Sequence, residues 1–160
     1  MYKNEKIVMY RKILVPHAGT KAGNKALEIA KKLAKVHKSH VTILHIVEKI
    51  PNPTFVSYDR REVQKQLKAA RRELKMEAEA KMREFADKLQ KEKISANVKI
   101  MDGYPEEEIA EVAKEGNYDL IVMAKRRKLP GLKAILKLGS VSRKVLEQVS
   151  CPILLIDGEK

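Results

Sequence analysis

Cysteine, aromatic side chains and long apolar runs are all scarce in this chain, and each scarcity removes a class of function. One cysteine, Cys151, cannot form an intramolecular disulfide, and thiolate-built metal clusters need several. Its setting, SCPILLI, reads as a small buried hydrophobe rather than a reactive thiol. Trp is absent and aromatics make up 4% of the residues, so stacking platforms for single-stranded nucleic acid are hard to build. No apolar run approaches the roughly 20 residues that span a bilayer. The N-terminus also lacks the apolar core of a secretion signal, so a cytoplasmic protein without membrane contact is expected. There is no P-loop lysine motif and no nucleophile elbow with a following histidine. None of His17, His37, His40 and His45 stands at metal-ligand spacing with a carboxylate, so no catalytic centre and no metal site are expected.

What is present is a 160-residue chain, 44% hydrophobic and 34% charged, with Lys and Arg (34) outnumbering Asp and Glu (21) to give a net charge of +13. That length fits one domain with one sizeable core. The positive balance favours anionic partners without identifying one.

Strand patterns alternate with helix patterns. RKILVP (11–16), HVTILHIV (40–47), Ala96–Met101, Asp119–Ala124 and Pro152–Ile156 read as five strands, the second buried on both faces. Thr20 can cap a first helix whose Ala22, Ala26, Ile29, Ala30, Leu33 and Ala34 share one face. A long helix runs from Asp59 to about Lys93 on a stripe of Val63, Leu67, Ala70, Leu74, Ala78, Met82, Phe85 and Leu89. At 1.5 Å per residue it would extend roughly 50 Å, so a kink or break near its start is expected. Pro105 and Glu106–Glu108 suit the first turn of a third helix that stops at Gly116-Asn117. A fourth helix spans about Ser140–Val149, with Ser140 as its expected N-cap. Together these imply a five-stranded, parallel, doubly wound α/β sheet with helices on both faces, a Rossmann-like domain over 10–157. Residues 1–9 form an N-terminal extension and 158–160 a tail.

KILVP (12–16), ALEIAKKLA, ILHIVE (43–48), GYPEEEI (103–109), DLIVM (119–123) and GLKAILKLGSVSRKVL leading into CPILLI recur in this order and spacing in one family. The chain resembles the universal stress proteins (UspA-like), with a fold akin to adenine nucleotide alpha hydrolases, from Met9 to Ile156. Members usually begin just before KILVP, which makes Met9 a candidate start. The resemblance implies a homodimeric regulatory protein of the stress response rather than a catalyst. It also implies ATP, AMP or another phosphate anion as ligand in one branch, without a required cofactor. That branch carries Gly, two residues, Gly, nine residues and Gly-Ser, plus an aspartate after the first strand.

Here the aspartate position is Ala18, the two loop glycines are Ala124 and Arg127, and eleven residues separate Arg127 from Gly139. Only Gly139-Ser140 survives. Arg127 places a cation where backbone amides would meet phosphate; it could block the pocket or contact the anion bidentately. The altered loop speaks against ATP held in the usual way.

The charge pattern pulls in the other direction. Lys125, Arg126, Arg127, Lys128, Lys133, Lys137, Arg143 and Lys144 have no acidic residue between them. A cation at Arg143 opposes the helix dipole unless an anion sits there. The candidate ligand site therefore comprises His17, Ala18 and Ile46 beside a base or sugar, and Ala124, Arg127, Gly139, Ser140, Ser142 and Arg143 beside phosphates. His45 reads as a hydrogen-bonded strand residue, and His37 and His40 as surface positions. The apolar last strand, Ile153, Leu154, Leu155 and Ile156, is expected at a sheet edge and pairs with its copy in the implied homodimer. Three rival readings stand beside this one. They are a nucleic-acid or polyanion binder using 125–144 and the basic helix around Arg60–Lys75, a nucleotide hydrolase, and a ligand-free adaptor.

Overall fold

The computed structural model describes residues 10–49, 60–125 and 139–158. The segments 1–9, 50–59, 126–138 and 159–160 lie outside the described residues, and with them the expected N-terminal extension, the end of the tail, and Arg126, Arg127, Lys128, Lys133 and Lys137. Element order is β1 (Lys12–Pro16), α1 (Lys21–His37), β2 (His40–Glu48), α2 (Arg60–Lys91), β3 (Ala96–Gly103), α3 (Pro105–Glu115), β4 (Leu120–Lys125), α4 (Ser140–Gln148) and β5 (Ile153–Asp157). The strands form one parallel sheet in the order β3-β2-β1-β4-β5, the doubly wound arrangement expected.

Alternation along β1 divides the core. Ile13 and Val15 point to one face, where they pack with Ala26, Leu27, Ala30 and Ala34 of α1 and Met82, Ala86 and Leu89 of α2. Leu14 points to the other face, against Ile109, Val112 and Ala113 of α3 and Val145 of α4. Val41–Leu44 of β2 are likewise buried on both sides. Such continuous apolar strands are what a sheet covered on both faces requires.

The helix ends follow local chemistry. Thr20 Oγ1 accepts the Gly23 N–H (3.1 Å) and caps α1, which stops at Lys38 in a left-handed conformation (φ 54°). Pro105 opens α3 with Glu106–Glu108 in its first turn. At its far end Gly116 keeps a right-handed backbone, and the left-handed residue is Asn117 (φ 48°).

Two expectations are corrected. The long helix shows no break within the described residues: α2 is continuous from Arg60 to Lys91, and its expected start at Asp59 lies outside them. Its sequence is built of strong helix formers, and Arg71 and Lys75 tie its upper half to Asp102 at the end of β3 (3.2 and 2.6 Å). Lys75 foremost, then Arg71, holds the Asp102 carboxyl below the usual carboxylate range. The second correction concerns Ser140, which is the first helical residue of α4 while Gly139 occupies the cap.

The stripe on α2 is buried only in its lower half: Met82 is fully buried, whereas Leu74 is 55% exposed. Ile121→Ala, in the fully buried centre of β4, should therefore destabilise by about 2–5 kcal/mol. Leu74→Ala should change stability by less than about 0.5 kcal/mol. Urea unfolding of the two variants checks the contrast.

Candidate functional site

In a doubly wound sheet, the chain leaves neighbouring strands in opposite directions at one point, and the strand ends there frame a crevice. In this protein that point lies between β1 and β4. One wall is the β1–α1 loop, His17-Ala18-Gly19-Thr20. The other begins at Ala124 and Lys125 and resumes at Gly139.

His17 is the organising residue of the first wall. The residue is 2% exposed. Nδ1 accepts the Gly19 N–H (3.0 Å), which leaves Nε2 to carry the proton and donate to Asn24 Oδ1 (3.0 Å). The backbone is committed too: the His17 N–H donates to the Leu44 carbonyl (2.8 Å), and the His17 carbonyl accepts from His45 Nδ1 (2.8 Å). The ring packs on Phe85 of α2 with centroids 5.0 Å apart. Gly23 of α1 makes room for it, since a Cβ there would sit 3.0 Å from the ring. Gly19 then turns the chain in a left-handed conformation (φ 74°) that its missing Cβ permits, and its carbonyl accepts from Lys81 (3.0 Å).

The loop is thus held from below, and every polar group of His17 is spent inside the protein. His17 shapes the wall, while Ala18 is the residue it sets at the rim, with no carboxylate to offer. Ile46 lies in β2 opposite Met101 and is half-buried. Asn24, Phe85 and Lys81 were not among the expected site residues. A sequence signal existed only for Asn24, four residues after the capping Thr20 and so one helical turn above the loop.

On the second wall, Ala124 is half-buried in β4 opposite Ile156. Gly139 is extended (φ −67°, ψ 158°), Ser140 and Arg143 are exposed, and Ser142 is buried. Arg127 lies outside the described residues. The fold also brings carboxylates to the basic run, which none interrupts in sequence. Lys144 is ion-paired to Glu106 of α3, and Lys125 lies 3.9 Å from Asp157. Lys144 chiefly holds the Glu106 carboxyl below its ordinary value. Cys151 is half-buried, and desolvation pushes its thiol up, against nucleophilic use. Among the described residues no group of His, Cys, Asp and Glu is placed to hold a metal.

Comparison with known proteins agrees with this fold. The sequence profile of the Universal stress protein family matches residues 9–157. The universal stress protein YxiE of Bacillus subtilis is 34% identical, over 92% of this chain and 99% of its own length. The solved structure of Methanocaldococcus jannaschii MJ0577 superposes with a TM-score of 0.76 at 25% identity, covering 94% of this chain and 97% of that one. Two more distant structures, both 18% identical, share the fold. One is a universal stress protein in complex with cAMP (TM-score 0.63, 94% and 99% coverage). The other is the Archaeoglobus fulgidus protein in complex with dAMP (TM-score 0.58, 92% and 98%).

Burial is the main cause that lowers the His17 pKa from 6.5 to about 4; the Asn24 hydrogen bond opposes it, and His45 and Lys81 add to it. The fold thus favours the neutral ring. Its stabilising effect should be fully present above pH 6.5 and fade as pH falls toward 4, a loss of about 3 kcal/mol. Urea unfolding at stepped pH should show this decline in the wild type and lack that component in His17→Gln.

Proposed function

Because this chain belongs to the universal stress protein family, we propose that it is a cytoplasmic, homodimeric binding and regulatory module of the stress response. Its ligand carries phosphate and is taken at the crevice between the β1–α1 and β4–α4 loops. The observation that carries this reading is the pre-organised β1–α1 wall, fixed by His17 at the switch point of the sheet. The cAMP and dAMP complexes of structural neighbours support the same ligand class.

The ligand is selected by its phosphates more than by its base or sugar. Ala18 cannot accept from a ribose hydroxyl, whereas Arg127 and Arg143 offer cations and Ser140 offers a hydroxyl at a helix N-terminus. Lys125 and Lys144 contribute less than their number promises, since Asp157 and Glu106 stand beside them. Binding rather than turnover is the expected activity here, because no nucleophile–base pair faces the crevice among the described residues. None of the described helices is long and apolar enough to cross a membrane.

Dimerisation follows from the other end of the sheet order. β5 is an edge strand, and Leu154 is 37% exposed on it. Pairing with its two-fold copy would close that edge.

Calorimetric titration with ATP, AMP and pyrophosphate in moderate salt tests the ligand class. We expect saturable binding of all three, weakened at least about tenfold in Arg127→Ala, equivalent to about 1.4 kcal/mol. Absence of binding by any of them would leave a ligand-free adaptor. For the dimer, sedimentation of the wild type should give twice the chain mass, and Leu154→Glu should give the monomer with its circular dichroism unchanged.

A further inference from the structure

At the opposite, amino-terminal end of the strands, the sheet assembles side chains that lie far apart in sequence. His40 opens β2 and faces Ser95 and Asn97 at the start of the edge strand β3. Ser95 Oγ lies 2.7 Å from His40 Nδ1, and His40 Nε2 lies 2.9 Å from Asn97 Oδ1. Thr42, 2% exposed, donates to the same Asn97 oxygen (2.8 Å). Because that oxygen can only accept, Nε2 carries the imidazole proton and the Nδ1 lone pair is directed at the Ser95 hydroxyl. The result is a nucleophile, a base and an orienting group in hydrogen-bond sequence, with a buried residue fixing the orienter.

A backbone donor completes the arrangement. In the parallel ladder Val41 N–H donates to the Ser95 carbonyl (2.9 Å). Ladder bonds to β2 therefore fall to Ser95 and Asn97, and the intervening Ala96 N–H is directed away from the sheet along its open edge. A backbone N–H on the residue after the nucleophile is a recurring oxyanion donor. Ser95 and Asn97 are exposed and His40 is half-buried, so a substrate reaches the hydroxyl from solvent. A ladder serving register alone would have no use for a hydroxyl on Nδ1, since water satisfies an exposed ring nitrogen.

We propose that Ser95, His40 and Asn97 form an acyl-transfer site for short-chain carboxylic esters, separate from the phosphate crevice. Ser95 Oγ attacks the ester carbonyl as its proton passes to His40 Nδ1, and Ala96 N–H receives the developing oxyanion. The C–O bond to the alcohol breaks, and the alcohol leaves with the proton from His40. Water then repeats the sequence on the acyl-serine, releasing the carboxylic acid and restoring the hydroxyl. Ser95 and His40 are the catalytic residues; Asn97 and Thr42 position the ring.

The test is labelling of the full chain with an alkyl fluorophosphonate. Ser95 Oγ attacks phosphorus, the P–F bond breaks as the P–O bond forms, and the proton goes to His40. Peptide mass spectrometry should place one adduct on Ser95, absent from Ser95→Ala, with the rate reduced about 10²-fold in His40→Gln. Asn97→Asp, which still accepts from Nε2, should keep the labelling that Asn97→Leu loses, with both variants folded by circular dichroism. Hydrolysis of p-nitrophenyl acetate should fall in the same order. No adduct above the Ser95→Ala background, an unchanged rate in His40→Gln, or equal labelling in the two Asn97 variants overturns the proposal.

Discussion

His17 joins β1, β2, α1 and α2 at the carboxyl end of the sheet. It sits where β1 ends, holds the loop that follows through Gly19, reaches α1 through Asn24, and lies against Phe85 of α2. Its own backbone binds Leu44 and His45 of β2. A charged ring could not fill this place, because Nδ1 would lose the lone pair that receives the Gly19 N–H. Burial and hydrogen-bond demand thus select the same protonation state, and the loop inherits its shape from that agreement.

The same pin orders a loop in which Ala18, and no acidic residue, follows His17. With Ala18 at the rim, the loop cannot be ordered by a ligand bridging to an acidic side chain. It is ordered beforehand by His17. The net charge of +13 acts over the same crevice, but unevenly. Lys144 and Lys125 are matched by Glu106 and Asp157, carboxylates contributed by other elements. A basic run in sequence is therefore a poor measure of the field a ligand meets, because the fold supplies counter-charges that linear order hides.

How much was legible follows the same division between local and distant causes. The five strands could be read because each is a short apolar run bounded by polar or turn residues. The doubly wound order followed from their alternation with helices. Caps written by neighbouring residues, such as Thr20 over Gly23 and Pro105 before three glutamates, were legible as well. The break expected in α2 was argued from length alone. The helix persists on strong helix formers, and Arg71 and Lys75 join it to Asp102 of another element, across 31 and 27 residues. His17 was visible as a loop histidine. Its clamp was not, since three of its partners, Leu44, His45 and Phe85, come from β2 and α2. Ser95, His40 and Asn97 were wholly hidden, as 55 residues separate the serine from the imidazole and only the parallel register of β2 and β3 aligns them.

The two proposed sites lie at opposite ends of one sheet, and the physics of parallel strands assigns them different characters. At the carboxyl ends, loops and helix N-termini present N–H groups and favour anions. At the amino end of β3, positioning comes from cross-strand side-chain pairs, with Ser95 opposite His40 and Asn97 opposite Thr42. Pairs of that kind are as rigid as the ladder beneath them, and Val41 and Ala96 of that ladder are buried. The crevice is bordered by a loop that His17 clamps. The Ser95 cluster needs no such clamp, because the register that makes the sheet also makes its geometry.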